Sequence, residues 1–192
     1  MIDMLNLAYP IKDEAEINGK TYELDMAFDN VLRLFDLIQD TTIDDVTKVE
    51  TGLLMLINDT LSEYEIHEKA EIFIELFKSS VGEPKGKQLV DLDGNPMPDI
   101  PDDDKNAFDL AQDAEFIYAS FMHTYRIDLF EQHGKLHWKK FKALLNGLSE
   151  DSIFSRVVGI RTAEIPSGKG MQKEAERLRR LKRKFALEED DE

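Results

Sequence analysis

The sequence predicts a mainly α-helical protein, and three observations carry that expectation. Apolar residues recur at spacings of three and four along most of the chain. Gly and Pro cut that pattern into pieces of helix length. Aromatic residues crowd one stretch, 113–161, where Phe116, Tyr118, Phe121, Tyr125, Phe130, Trp138, Phe141 and Phe154 read as a packed helical core.

A chain of 192 residues suits one domain with an appended element. The expected division is a helical domain over 1–166 and a basic amphipathic helix with an acidic tip over 167–192. Hydrophobic residues make up 42% and charged residues 33%, which fits helices with strongly charged outer faces. The absence of Cys excludes disulfides, thiolate zinc sites and cysteine nucleophiles together. No run of 18 apolar residues predicts a membrane span. The first residues lack the basic start and small-residue cleavage site of a signal peptide, so the expected location is cytoplasmic. The net charge of −16 is uneven: 1–166 carries −17, whereas 167–187 holds eight basic and two acidic residues, a net of +6. An acidic body repels phosphate backbones and favours basic protein partners.

Residues 16–24 read as a small hairpin, because Asn18-Gly19 tolerates positive φ at both turn centres. Asp25 is placed to cap a helix over about 26–39, with Phe28, Val31, Leu32, Phe35 and Ile38 inward. Thr42 and Asp45 resemble a capping box opening a helix over 43–58, with Val46, Val49, Leu53, Leu56 and Ile57 inward. A third helix over 65–81 carries Ile66, Ala70, Phe73, Ile74 and Phe77, and stops at Gly82 and Pro84. The Pro/Gly/Asp-rich stretch 82–104 reads as an exposed loop, with a short strand at Gln88–Leu92 and a turn at Asp93-Gly94. Further helices are expected over 104–125, 136–147 and 151–161, the last capped by Ser149. The final helix, 170–187, has only a narrow apolar line of Met171, Ala175, Leu178, Leu181 and Phe185. It reads as a protruding docking helix. These five side chains, with Arg177, Arg180 and Lys184 beside them, are the candidate partner-binding residues.

Reaction chemistry is thin. Asp91, Asp93, Asn95 and Asp99 suggest a calcium loop, but counted from Asp91 the glycine falls at position four, Asp102 stands where the final glutamate is needed, and Pro96 and Pro98 intrude, so a solvated acidic turn is the expected reading. His133 and His137 are four apart, yet Gly134 separates them and no zincin glutamate follows. His67 and His123 have no evident partner. No metal ligand, cofactor or catalytic residue is assigned. Arg161 is the best candidate for a specific polar contact, with Asp128 or Glu164 as its expected carboxylate. The cluster Arg177, Arg179, Arg180, Lys182, Arg183 and Lys184 reads first as a solvated helix face and second as a nucleic-acid contact.

Several segments together resemble the bacteriophage "gene product fifteen" family of phages and prophages of Gram-positive hosts. They are Asp113-Ala114-Glu115, Ile117-Tyr118-Ala119-Ser120-Phe121, Tyr125-Arg126-Ile127-Asp128-Leu129, His137-Trp138-Lys139-Lys140-Phe141, Leu144-Leu145, Gly147-Leu148 and Ile160-Arg161 before Pro166. The resemblance covers most of the chain and is firmest over 105–166. Its core residues here are Asp113, Tyr118, Phe121, Tyr125, Asp128, Trp138, Phe141, Leu145 and Arg161. The chain departs from the family at Arg126, where Gly is common, and at Lys139, where a second aromatic is common. The resemblance implies a non-enzymatic protein of phage tail assembly, a chaperone for the tape-measure protein. It would self-associate, meet the tail-tube protein and an upstream overlapping-frame chaperone, and be absent from the mature virion. Two other readings stand beside it: a nucleic-acid-binding regulator acting through the last helix, and a metal-dependent enzyme around Asp91–Asp104.

Overall fold

A computed structural model describes residues 7–81 and 107–188, so the expectations for 82–104, including the Gln88–Leu92 strand and the Asp91–Asp104 cluster, lie outside the described residues. The fold is mainly helical with one small hairpin. In chain order the elements are β1 (Glu14–Ile17), β2 (Lys20–Glu23), α1 (Phe28–Gln39), α2 (Asp45–Ile57), α3 (Ile66–Ser80), α4 (Ala114–Tyr125), a 3-10 turn (Phe130–Gln132), α5 (Trp138–Asn146), α6 (Ile153–Thr162) and α7 (Gln172–Lys184). The described residues form two compact units, one from 7–81 with Gln132–Ala143 and the other from 107–131 with 144–188.

In the first unit, β1 and β2 pair antiparallel with Ile17 opposite Lys20. Asn18 and Gly19 take φ of 47° and 81°, the double left-handed turn that this dipeptide permits. Helix α1 starts without the expected help from Asp25. Its cap is Ala27, and the Phe28 N–H donates to the Leu136 carbonyl at 2.9 Å while the Trp138 N–H donates to the Met26 carbonyl at 2.7 Å. Backbone from a distant segment thus satisfies the helix end that a side chain was expected to satisfy. Asp25 instead accepts from the Ala27 N–H.

The buried face of α1 is rotated from the expected one. Leu34 and Leu37 are inward beside Phe28 and Val31, and Ile38 is exposed. Both stripes fit a 3.6-residue period; Asn30 decides between them, because its amide donates to the Asp25 and Met55 carbonyls from a buried position. Helix α2 is capped by Asp44, which accepts from the Thr47 N–H at 3.0 Å. Thr42, expected as part of the cap, is bound to Asp40. Val46, Ile66 and Ile74, expected inside, are exposed, while Leu53, Leu56, Phe73, Leu76 and Phe77 make the core. Helix α3 opens with a reciprocal cap between Glu65 and Glu68.

Aromatic packing runs on through this unit. Phe28 stacks on Phe141 at 5.0 Å, Phe141 on Trp138 at 5.6 Å, and Phe35 meets Trp138 and Phe77 edge-on. The Val81 carbonyl ending α3 accepts from the Trp138 indole N–H and from the Lys142 ammonium, so an orphan helix-end acceptor is paired twice. Burial lowers the pKa of Lys142.

In the second unit α4 begins at Ala114, ten residues later than expected. Asp109 caps the preceding turn by accepting from the N–H groups of Ala111 and Gln112. On α4, Ile117 and Phe121 are buried, whereas Ala114 is exposed. Arg126 ends α4 at φ 58°, a left-handed conformation that costs a side-chain-bearing residue and that Gly adopts freely. Helix α6 is capped by Ser152, not Ser149, and the buried Ser120 hydroxyl of α4 accepts from the Phe154 N–H at 3.1 Å. Phe130, counted with the core aromatics, sits on the 3-10 turn and is 70% exposed, its ring 5.3 Å from that of Tyr118.

Candidate functional site

Two features of the second unit gather its polar residues: a buried ionic knot and a cationic helix. Arg161, in the last turn of α6, lies against Asp113, the residue just before α4. The guanidinium binds the carboxylate through two nitrogens at 2.6 and 2.7 Å, with side-chain exposures of 9% and 1%. This fork-on-fork pairing is the strong geometry for Arg and carboxylate. The remaining guanidinium contacts go to the carbonyls of Ala107 and Phe185, and the Asp113 carboxylate also accepts from the Asp109 N–H. Asp113 therefore does not cap α4, since its oxygens are already engaged.

Arg161 was rightly singled out, but its partner is neither Asp128 nor Glu164. Asp128 instead accepts from the Phe130 N–H at 3.0 Å and from the Tyr118 hydroxyl at 3.4 Å. Burial, then the Asp128 charge, raises the pKa of Tyr118. The other motif residues build structure. Phe121, Phe141, Trp138 and Leu145 are buried, and the Tyr125 hydroxyl donates to the Leu144 carbonyl at 2.9 Å.

The terminal helix does not protrude. Ala175 of α7 is 5% exposed, and α7 packs on α6. Phe185 meets Phe116 edge-on at 6.0 Å, and Lys182 donates to the Arg161 carbonyl. The small Ala175 permits close approach, and Arg161 holds the carbonyl of Phe185. Leu178, Leu181 and Phe185 are half-buried, and Met171 is exposed. The apolar line proposed for docking is thus turned largely inward, while Arg177, Arg180 and Lys184 are exposed.

The histidines do not converge. His133 packs on Phe28 at 5.7 Å. His137 faces Asp13 at 2.7 Å through Nε2, and its Nδ1 accepts from the Lys139 N–H at 2.9 Å. That pattern fixes the neutral ring with the proton on Nε2. Burial lowers the pKa of His137, against the opposing pull of Asp13. His67 and His123 are exposed. Among the described residues there is no group of three or more His, Cys, Asp or Glu that could hold a metal ion, and no helix long and apolar enough to cross a membrane.

Sequence reasoning missed Asn30, the Lys69–Glu50 ion pair at 2.8 Å and Ser120. The signal for each was a polar residue within an apolar helix face, which periodicity treats as noise.

The class these features define is a small acidic helical protein whose chemistry lies in packing and surface charge. The profile of the bacteriophage Gp15 protein family matches residues 10–187, and the chain belongs to that family. No curated protein and no solved structure matches it.

Proposed function

We propose that this protein is a non-enzymatic phage tail assembly chaperone that binds the tape-measure protein during tail morphogenesis. The observation that carries the reading, beside family membership, is an unsheathed apolar surface on paired helices. Val46 and Leu54 of α2 and Ile66 and Ile74 of α3 are each 39–49% exposed. A helical client offers the complementary surface, and binding it requires no reaction chemistry. In this reading the protein works in the host cytoplasm, self-associates, meets the tail-tube protein and an overlapping-frame chaperone, needs no cofactor and leaves before the virion matures.

Co-expression with fragments of the tape-measure protein tests it: a co-purifying complex is expected. If no fragment binds, and phage lacking the gene still make full-length tails, the reading is wrong.

One observation favours a second reading, a nucleic-acid-binding regulator. Arg177, Arg179, Arg180 and Arg183 of α7 pair with no described carboxylate. A gel-shift complex that survives about 200 mM salt supports the regulator; its loss at that salt identifies nonspecific charge attraction.

A further inference from the structure

The outer face of α2 and α3 has a definite composition. Helices α2 and α3 are consecutive and antiparallel, joined by the short connection 58–65. The register is set near their middles. Glu50, midway between Val46 and Leu54, receives Lys69, which lies beside the midpoint of Ile66 and Ile74. This brings Val46 level with Ile74, and Leu54 level with Ile66. Each pair stands one turn from the ion pair, so the apolar strip runs about 12 Å along the helices at 1.5 Å per residue. Four of the eleven large hydrophobics exposed among the described residues therefore gather on one pair of helices. Scattered exposed aliphatics are ordinary, whereas a gathered strip marks an interface.

Charge selects the occupant. Residues 40–80 hold ten carboxylates and three lysines, a net of −7. Of the three, Lys69 is spent on Glu50 and Lys48 on a backbone carbonyl, which leaves Lys78, exposed one turn beyond Ile74, as the one cation against the carboxylates of this face. Glu71 and Glu75 flank Ile74 on the exposed side of α3. An aliphatic strip within carboxylates rejects an acidic helix by like-charge repulsion and rejects a purely polar one by leaving its apolar side chains in water. It fits a helix with an aliphatic stripe and Lys or Arg on both flanks, the helix-in-groove mode of recognition. The helix α7 of a second copy has that composition, but its apolar side is already used on α6, so it presents mainly charge.

We infer that the α2–α3 face is a docking surface for a cationic amphipathic helix of a partner protein. The inference rests on the chaperone reading only in treating that partner as the client, and its test is independent of it.

The probes are two fluorescent sixteen-residue peptides, one built from Leu and Lys in a helical pattern and one with Glu in place of every Lys. Anisotropy on the full chain should show saturable, micromolar binding of the cationic peptide and none of the acidic one. The deciding variant is Ile74→Asp. It adds a negative charge, so pure charge attraction predicts equal or tighter binding, whereas docking on the aliphatic strip predicts a loss of about tenfold or more. Ile74→Ser, which removes the aliphatic group without adding charge, should weaken binding in the same direction. Circular dichroism confirms that both variants keep the helical content of the parent. Three results overturn the inference: no binding of the cationic peptide, unchanged or tighter binding by Ile74→Asp, or a concentration-dependent mass of the parent chain that Ile74→Asp abolishes, which assigns the face to a second copy. If tape-measure fragments co-purify but the peptide does not bind, this inference fails and the chaperone reading stands. If the peptide binds and no fragment co-purifies, the chaperone reading fails and the docking face stands.

Discussion

The two units are held together by different physics. The first closes on aliphatic and aromatic packing: Val31, Leu34, Leu53 and Leu56 have no exposed surface, and the Phe28–Phe141–Trp138–Phe35–Phe77 contacts run through it. The second closes on aromatic packing around one ion pair, Asp113 with Arg161, which reaches out to the ends of two other segments through Ala107 and Phe185. Apolar packing is forgiving, because neighbours relax around a change. A buried ion pair is not, because removing one partner leaves the other charge in low dielectric.

The sharpest way to break this contrast is Arg161→Met. It strands the Asp113 carboxylate and removes two carbonyl contacts, so the second unit should lose about 3–5 kcal/mol. Trp138 is the only tryptophan and belongs to the first unit. In urea, the helix signal by circular dichroism should therefore begin to fall before the Trp138 emission changes. Coincident transitions would mean that the ion pair stabilises both units equally. The double change Asp113→Leu with Arg161→Met should recover much of the loss, since no charge is then stranded.

The first unit has its own tight point. A Cβ on Gly52 would overlap the ring of Phe73. Gly52→Ala should lower the Trp138 emission midpoint by about 1–2 kcal/mol of stability, because overpacking outweighs the helix propensity that Ala gains. A smaller effect of opposite sign belongs to the second unit. Arg126→Gly relieves the left-handed end of α4 and should raise the circular-dichroism midpoint by about 0.5 kcal/mol, net of the backbone entropy Gly adds to the unfolded chain.

The last prediction concerns pH and the first unit alone. His137 has a folded pKa below its ordinary 6.5, chiefly from burial. The folded state thus prefers the neutral ring, and its contribution to stability is complete above 6.5 and lost as pH falls through the lower folded pKa. The Trp138 emission midpoint should fall as the pH drops below 6.5, and this contribution to the fall should level off once the folded pKa is passed. The His137→Gln variant should show a shallower fall.

Much of the fold was legible because it repeats. The Asn18-Gly19 hairpin and all seven described helices follow from turn chemistry and periodicity, with ends displaced by a few residues and by ten at α4. The helix rotations were less legible. Periodicity could not tell Ile38 and Ile74 from Leu37 and Leu76, since both sets lie three or four apart, and the arbiters were the polar Asn30 and Lys69. Caps failed where tertiary partners took over. Asp25 gave way to the Leu136 carbonyl at the start of α1. The importance of Arg161 was legible as a lone cation after Val157, Val158 and Ile160. Its partner was not, because 48 residues separate it from Asp113 and nothing local joins them.

The hairpin turn has a consequence for chemical ageing. An asparagine followed by glycine is open to attack by the next backbone nitrogen on its own side-chain amide, giving aspartate or isoaspartate. Asn18 is held in the left-handed region, and its amide donates to the Tyr64 hydroxyl at 2.7 Å, which anchors the group that this reaction must turn. The folded hairpin slows the reaction that the unfolded chain permits. Each conversion adds one negative charge and removes the amide N–H that donates to Tyr64, so the charge heterogeneity of a stored sample is a clock for the time that this corner has spent open.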